Sequence, residues 1–259
     1  MTQAVPARAL VLALAAVAAE ARAGDGSQSP DHQLWLEASL GKTSGERTYL
    51  ELDLEPRWQL TQGDEWRSFR VVPQAVHYPT SWLDLIGDVK LVSTRQSDGP
   101  DSFELTPRAG ARIHLFAKLA PHRPGLPGLE SERLPLTRVG FSTLVRVEWR
   151  NLFYTDDTPD SHQWRARVRF EARLALNHAK LSQERTLYAM ADVEYFAPLG
   201  DDVEETYVNK LRGRLGAGFR FSRATRLECL YVRDWNKSAP DADAAEDVQA
   251  LDVHLKLLF

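Results

Sequence analysis

The sequence predicts an all-β protein: a single transmembrane antiparallel β-barrel of about ten strands, with twelve as the alternative, after a cleaved signal peptide. Three observations favour this fold class. Most segments after residue 32 alternate apolar and charged residues, which is the period of a β-strand. Long acidic connections alternate with short ones, as in outer-membrane barrels. The first residues have the pattern of a secretory signal.

The N-terminal segment has the three parts of a signal peptide. One arginine in MTQAVPAR precedes the short apolar core ALVLALAAVAA, and Ala21–Ala23 forms an A-x-A cleavage site. The apolar core is too short to span a bilayer. We therefore predict a signal peptide over residues 1–23, a flexible segment over 24–32 and the barrel over 33–259.

The strands follow from alternation, which is clearest in WRARVRFEARL, residues 164–174. Candidate strands lie near residues 33–40, 47–60, 66–77, 81–95, 102–117, 138–153, 162–177, 185–197, 206–222, 225–236 and 247–259. That count is odd, whereas a bacterial barrel with both termini in the periplasm needs an even number. Pro73 and Pro79 interrupt residues 61–95, where alternation is poorest. We therefore assign one strand to that stretch and predict ten.

Composition excludes several partners and cofactors. The chain has 32 Lys and Arg against 36 Asp and Glu, and this balance gives no reason to expect nucleic acid. Cys229 is the only cysteine, so no internal disulfide can form. Histidines and cysteines do not occur at metal-ligand spacing, and we predict no metal and no cofactor.

Alternation alone fits two architectures. A soluble periplasmic β-barrel that binds a small ligand would turn its apolar face inward, whereas a membrane barrel turns that face to lipid and lines a polar lumen. The final strand favours the membrane barrel, because Phe259 on its apolar face resembles the signal that ends bacterial outer-membrane barrels. We expect the barrel-assembly machinery to bind the strand that ends at Phe259.

The large aromatic residues also favour a membrane barrel. With Phe259 in the periplasm, the connections at 154–161, 198–205 and 236–247 become external. Five aromatics then lie at strand ends beside external loops: Trp149, Trp164, Tyr195, Tyr207 and Trp235. An aromatic belt is typical of a membrane interface. We therefore predict contact with outer-membrane lipid and location in the bacterial outer membrane.

The second half of the chain carries a recurring pattern: E-x-F, N-x-x-R, G-x-G-aromatic and then a strand with tyrosine. The matching residues are Glu194, Phe196, Asn209, Arg212, Gly216, Gly218, Phe219 and Tyr231. This pattern resembles the DUF2490 family of bacterial outer-membrane β-barrel proteins, best over residues 142–235. Phe219 stands where the family more often has tyrosine. The resemblance implies an exported barrel and no particular activity.

The polar strand faces predict a charged lumen. Fifteen residues are expected to line it: Arg108, Arg112, Arg146, Glu148, Arg150, Arg165, Arg167, Arg169, Glu171, Arg173, Asp192, Glu194, Arg212, Arg214 and Arg220. Two roles fit them. Arginine–carboxylate pairs could knit a narrow, filled barrel together, or an arginine-rich wall could let small anions pass.

An outer-membrane lipid hydrolase is a third hypothesis. Such an enzyme needs a nucleophile, a base and an orienting group within hydrogen-bond reach. The seven histidines are scattered along the sequence, and no G-x-S-x-G motif is present. His114 and His254 are expected to face the lumen, away from lipid. We therefore predict no enzyme activity.

Overall fold

The computed structural model describes residues 31–60, 67–95, 100–115, 138–199, 210–236 and 247–259. The predicted signal peptide and residues 24–30 lie outside these ranges. Among the described residues, no helix is long and apolar enough to span a membrane. The strands are β1 Asp31–Ser44, β2 Thr48–Gln59, β3 Arg67–His77, β4 Leu83–Arg95, β5 Ser102–His114, β6 Val139–Tyr154, β7 Ser161–Ala175, β8 Thr186–Leu199, β9 Lys210–Arg220, β10 Thr225–Asn236 and β11 Asp247–Leu258. The first strand begins two residues before the predicted start of the barrel.

These strands close into a barrel. Each strand pairs antiparallel with the next, and β1 pairs with β11 in parallel, from Asp31↔Val248 to Gly41↔Leu258. The parallel closing pair follows from the odd number, because the first and the last of eleven alternating strands run in the same direction. The prediction of ten strands, with twelve as the alternative, is therefore wrong.

Two prolines explain the miscount. Pro73 lies within β3 and pairs with Leu52 of β2. The ladder between β3 and β4 lacks pairs at Val72 and Pro73 but resumes at Gln74 in the same register. Proline has no N–H to donate, so a strand tolerates it where one ladder is interrupted. Pro79 lies in the short connection between the two strands. Neither proline removes a strand.

The barrel has two ends, named here for Asp31 and Phe259. Strand β1 starts at the Asp31 end, and β11 runs to the Phe259 end, where the Phe259 N–H donates to the Gly41 carbonyl at 2.8 Å. The predicted arrangement with both barrel termini on one side is therefore also wrong. The connections predicted to be external all join strands at the Asp31 end.

The two faces of the wall differ sharply in polarity. On β8, the outward side chains of Val193 and Tyr195 are each 49 % exposed, whereas the adjacent Asp192 and Glu194 are 4 % and 0 % exposed. The same contrast recurs along β6, β7, β9 and β10. The described barrel thus has an apolar exterior and a charged interior.

Some apolar residues also lie inside, near the Phe259 end. Tyr49, Val76, Tyr78, Ile86 and Leu144 form one buried cluster there. A second buried cluster contains Leu181, which the connection between β7 and β8 contributes, together with Tyr188, Met190, Leu230 and Ala175. Apolar packing therefore fills part of the interior at this end, beside charged groups such as Glu51, which accepts a hydrogen bond from the Tyr49 hydroxyl.

Candidate functional site

The fifteen predicted lumen residues all lie on the inner face of the wall. Ten of them border a cavity of about 250 Å³: Arg108, Arg112, Arg146, Arg167, Arg169, Glu171, Arg173, Asp192, Arg212 and Arg214. The other five do not border it: Glu148, Arg150, Arg165, Glu194 and Arg220. The strand period thus brings the set together, and pairing between strands decides what each residue contacts.

A chain of ion pairs crosses five neighbouring strands, from β6 to β10. Its members, called the ion chain below, are Arg165, Glu148, Arg167, Glu194, Arg212 and Asp234. Arg165 Nε donates to Glu148 at 2.8 Å, and Arg167 Nη1 donates to the same carboxylate at 3.3 Å. Arg167 also pairs with Glu194. Arg212 donates to Asp234 from Nε at 2.6 Å and from Nη2 at 2.9 Å.

Two buried aromatic rings extend the ion chain around the wall. The guanidinium carbons of Arg165, Arg167 and Arg212 lie 4.7, 5.2 and 5.7 Å from the centre of the Phe196 ring. Arg212 also lies 5.1 Å from the Trp35 ring, and Arg57 stacks on that ring at 3.4 Å. Cations over aromatic faces are stabilised when they are desolvated. Arginines and rings therefore form a continuous layer from β7 to β2.

A separate cluster joins β4, β5 and β6. Glu104 accepts hydrogen bonds from Arg150 Nε at 3.0 Å and from the Thr106 hydroxyl at 2.6 Å, and it pairs with Lys90 at 2.5 Å. Asp88 pairs with Arg108 and, at 3.4 Å, with Arg146. Buried carboxylates thus hold several charge-assisted bonds at once, which is the geometry that makes such groups stabilising.

A third cluster brings together a serine, a histidine and carboxylates. Ser39 Oγ lies 2.7 Å from His254 Nε2, and His254 Nδ1 lies 3.5 Å from Glu228. The Ser39 hydroxyl donates instead to Asp53 at 2.5 Å, and Ser39 is 0 % exposed. A nucleophilic serine must give its proton to the base and reach a substrate. This cluster therefore serves as a polar tie between β1, β2, β10 and β11.

Several lumen residues were missed by the sequence analysis. They include Asp88 and Lys90 on β4, Asp234 and Glu228 on β10, and Asp252 on β11. The segment LDLIGDVKL of β4 places Asp84, Asp88 and Lys90 at even spacings, a period that the merged strand concealed. Asp252 follows the same rule, because it is two residues before His254.

The predicted interface aromatics lie on the outer wall. Trp149, Trp164, Tyr195 and Trp235 are 38 to 51 % exposed and lie toward the Asp31 end of their strands. The rings of Trp149 and Trp164 stack at 5.8 Å between centroids. Phe259 is 77 % exposed at the opposite end. Tyr207 lies outside the described residues.

The charge of the cavity is biased toward cations. Thirteen Lys and Arg residues border it, against nine Asp and Glu residues. His114 and His254 also border the cavity. Within the described ranges, no three or more His, Cys, Asp or Glu side chains are grouped so that they could hold a metal ion.

A comparison with protein-family models gives a match. The model of the family described as "Protein of unknown function (DUF2490)" matches residues 127–245, slightly less than half of the chain. No curated protein matches the sequence. The motif residues have clear physical roles here: Glu194, Phe196 and Arg212 belong to the ion chain and its ring, and a Cβ on Gly218 would lie 2.3 Å from the Tyr188 ring. The family that the sequence pattern resembles is thus the family whose model matches the chain, over residues 127–245.

Proposed function

We propose that the protein is a bacterial outer-membrane β-barrel whose lumen is held closed by ion pairs, so that its role in the envelope is structural. One observation carries the proposal: the wall is apolar outside and charged inside. A soluble barrel has the opposite polarity, and its exposed face would be solvated by charged side chains. Lipid is the environment that suits an outer face with Val193, Leu215 and Phe170 exposed.

The position of the outer aromatics supports a membrane interface. Trp149, Trp164, Tyr195 and Trp235 share one end of the barrel, where their amphipathic rings suit the headgroup region. Closing the sheet also removes the exposed strand edges that hydrocarbon does not tolerate.

Two features support a closed lumen. The ion chain occupies the wall from β6 to β10, and each of its carboxylates pairs with one or two arginines. Near the Phe259 end, the clusters around Tyr78 and Leu181 fill space that a wide channel would need. Small barrels of this kind have interiors filled by side chains, whereas sixteen or more strands leave an aqueous channel.

The lipid-facing surface can be tested at the single cysteine. Cys229 lies on the outward face of β10 and is partly exposed. A fluorophore attached to it in reconstituted vesicles should be quenched by nitroxide-labelled lipid and protected from iodide. The control carries the label at position 157, as Asp157→Cys with Cys229→Ser, and should show the reverse. Quenching of both labels by iodide alone would contradict the membrane location.

Passive transport of small anions is the second candidate, and the excess of cations around the cavity favours it. Planar-bilayer recordings separate the two candidates. Folding is first established by the different gel mobility of unheated and boiled samples. The closed-lumen proposal expects a folded protein without steady openings. Steady openings with an anion-selective reversal potential would replace it with the transport role.

A further inference from the structure

The cavity has walls of opposite charge. Glu37, Asp53 and Asp252 border it from β1, β2 and β11, which are adjacent strands. Arg112, Arg146 and Arg169 border it from β5, β6 and β7. In the closed strand order, β6 and β7 are each five strands from β1 and therefore lie opposite it. Except for Arg112, which is nearer the Phe259 end, these residues lie near the middle of their strands.

The three arginines of the basic wall are weakly paired. Arg112 forms no ion pair within the described part of the chain, and Arg169 reaches Glu171 only at 3.9 Å. Arg146 is 6 % exposed and has a single carboxylate at 3.4 Å, and no described residue accepts a hydrogen bond from its Nε. The register places Arg112 and Arg169 on either side of Leu144, next to Arg146. Three guanidiniums thus converge with donor capacity left over.

The acidic wall, formed by Glu37, Asp53 and Asp252, is short of hydrogen-bond donors in the same way. Asp252 is 4 % exposed, and its Oδ1 has no hydrogen-bond donor among the described residues. Among the described residues, Glu37 has only His254 as an ion-pair partner, at 3.5 Å, and Asp53 accepts a hydrogen bond from the Ser39 hydroxyl without an arginine or lysine partner. Buried charges are costly unless they are paired and hydrogen-bonded. The basic wall is therefore short of anionic partners, and the acidic wall is short of cationic ones.

We propose that this cavity is a binding site for a small zwitterion with well-separated charges. Its anionic group, a carboxylate or a phosphate, would accept hydrogen bonds from Arg146 and Arg169, with Arg112 beside them. Its ammonium group would lie against Asp252 and Glu37. The volume of about 250 Å³ has room for about eight waters at their liquid volume, and hence for a small solute. The inference concerns the cavity alone, so it holds whether or not the barrel lies in a membrane.

Matched probes test the proposal on the unmodified protein. Calorimetric titration of the folded protein in detergent would use 4-aminobutanoate, butanoate and butylammonium, which share a carbon chain and differ in charge. We expect saturable binding of 4-aminobutanoate at least tenfold tighter than binding of either single-charge probe. The series from glycine to 6-aminohexanoate then measures the separation between the walls. Equal affinity for butanoate would make this an anion site and overturn the proposal, as would absence of binding across the whole series.

Variants connect the binding to the two walls. Asp252→Asn keeps the side-chain shape, and Arg169→Gln replaces the guanidinium with a shorter neutral amide; each should weaken 4-aminobutanoate binding at least tenfold. Asp156→Asn, in the exposed connection between β6 and β7, is the control and should bind normally. Gel mobility establishes folding before each titration. Normal binding by either wall variant would overturn the assignment, and if a variant does not fold, the probe comparison on the unmodified protein decides.

Discussion

Replacing Glu148 with glutamine tests whether the ion chain stabilises the barrel. Glu148 is 0 % exposed and accepts hydrogen bonds from two arginines, Arg165 through Nε and Nη2 and Arg167 through Nη1. After the substitution Arg167 retains its ion pair with Glu194, whereas Arg165 has no other carboxylate partner in the described ranges and keeps the face of the Phe196 ring at 4.7 Å. The variant therefore leaves one buried guanidinium without a carboxylate.

The expected loss in the free energy of unfolding follows from this one unpaired guanidinium. Breaking a buried ion pair from one side costs about 3–5 kcal/mol, because the remaining charge stays desolvated. The glutamine oxygen of Glu148→Gln can still accept one hydrogen bond, so we expect a loss near the lower end, about 3 kcal/mol. Asp252→Asn removes a buried carboxylate that has no ion pair in the described barrel, and its effect should stay within about 1 kcal/mol or be stabilising.

Urea titration of the barrel in lipid vesicles, followed by tryptophan fluorescence, gives the free energy of unfolding of both variants. A double variant, Glu148→Gln with Arg165→Gln, removes both charges and should recover part of the loss. Together with the single variant Arg165→Gln it completes the cycle that gives the coupling energy of the pair. If Glu148→Gln were no less stable than Asp252→Asn, the ion chain would not stabilise the barrel, and ion pairs would not hold the lumen closed.

Three further substitutions test the wall and the interior, each by the same unfolding measurement. Val168→Arg places a charge on the outer face in the middle of β7 and should lower stability by about 2–4 kcal/mol in a bilayer, whereas Val168→Leu should be neutral; equal stability would mean that position 168 does not face lipid. Gly110→Ala brings a Cβ to 2.4 Å from a backbone oxygen of β6 and should cost about 1–3 kcal/mol, whereas Gly87→Ala meets nothing within 4 Å and serves as control. Tyr188→Phe removes a hydroxyl donated at 2.5 Å to a buried carboxylate and should cost about 1.5–3 kcal/mol. The outward Tyr195→Phe should change stability by less than about 0.5 kcal/mol, and a similar loss in both tyrosine variants would refute the role of that bond.

The sequence predicts which side of each strand a residue takes but not its partner. Alternation around Arg165 and Arg167 is enough to predict the inner face, because the side-chain period of a strand is two. The pairs themselves depend on register between strands: Glu148 meets Arg165 across a hairpin, and Arg212 meets Asp234 across another. The alternation within one strand does not determine its register with the next.

Local sequence patterns also do not predict how many strands close the barrel. Counting strands required a decision about Pro73, and an assumption of even parity decided it wrongly. The lumen residues Asp252 and Lys90 show the same limit: alternation can place both on the inner face, but Lys90 depends on Glu104 of the neighbouring strand and Asp252 borders the cavity shared with the opposite wall. The sequence of either strand alone does not identify these partners.

The parallel seam between β1 and β11 has a consequence for how the chain can be rewired. An even-stranded barrel returns the chain to the side on which it started, so a short linker can join its termini. Here Asp31 and Phe259 are separated by the full height of the wall. An extended linker would have to run alongside the 12 residues of β11, about 40 Å at 3.3 Å per residue. Circular permutation therefore needs a long linker, and tags on the two strand ends would report from opposite sides of any membrane the barrel spans.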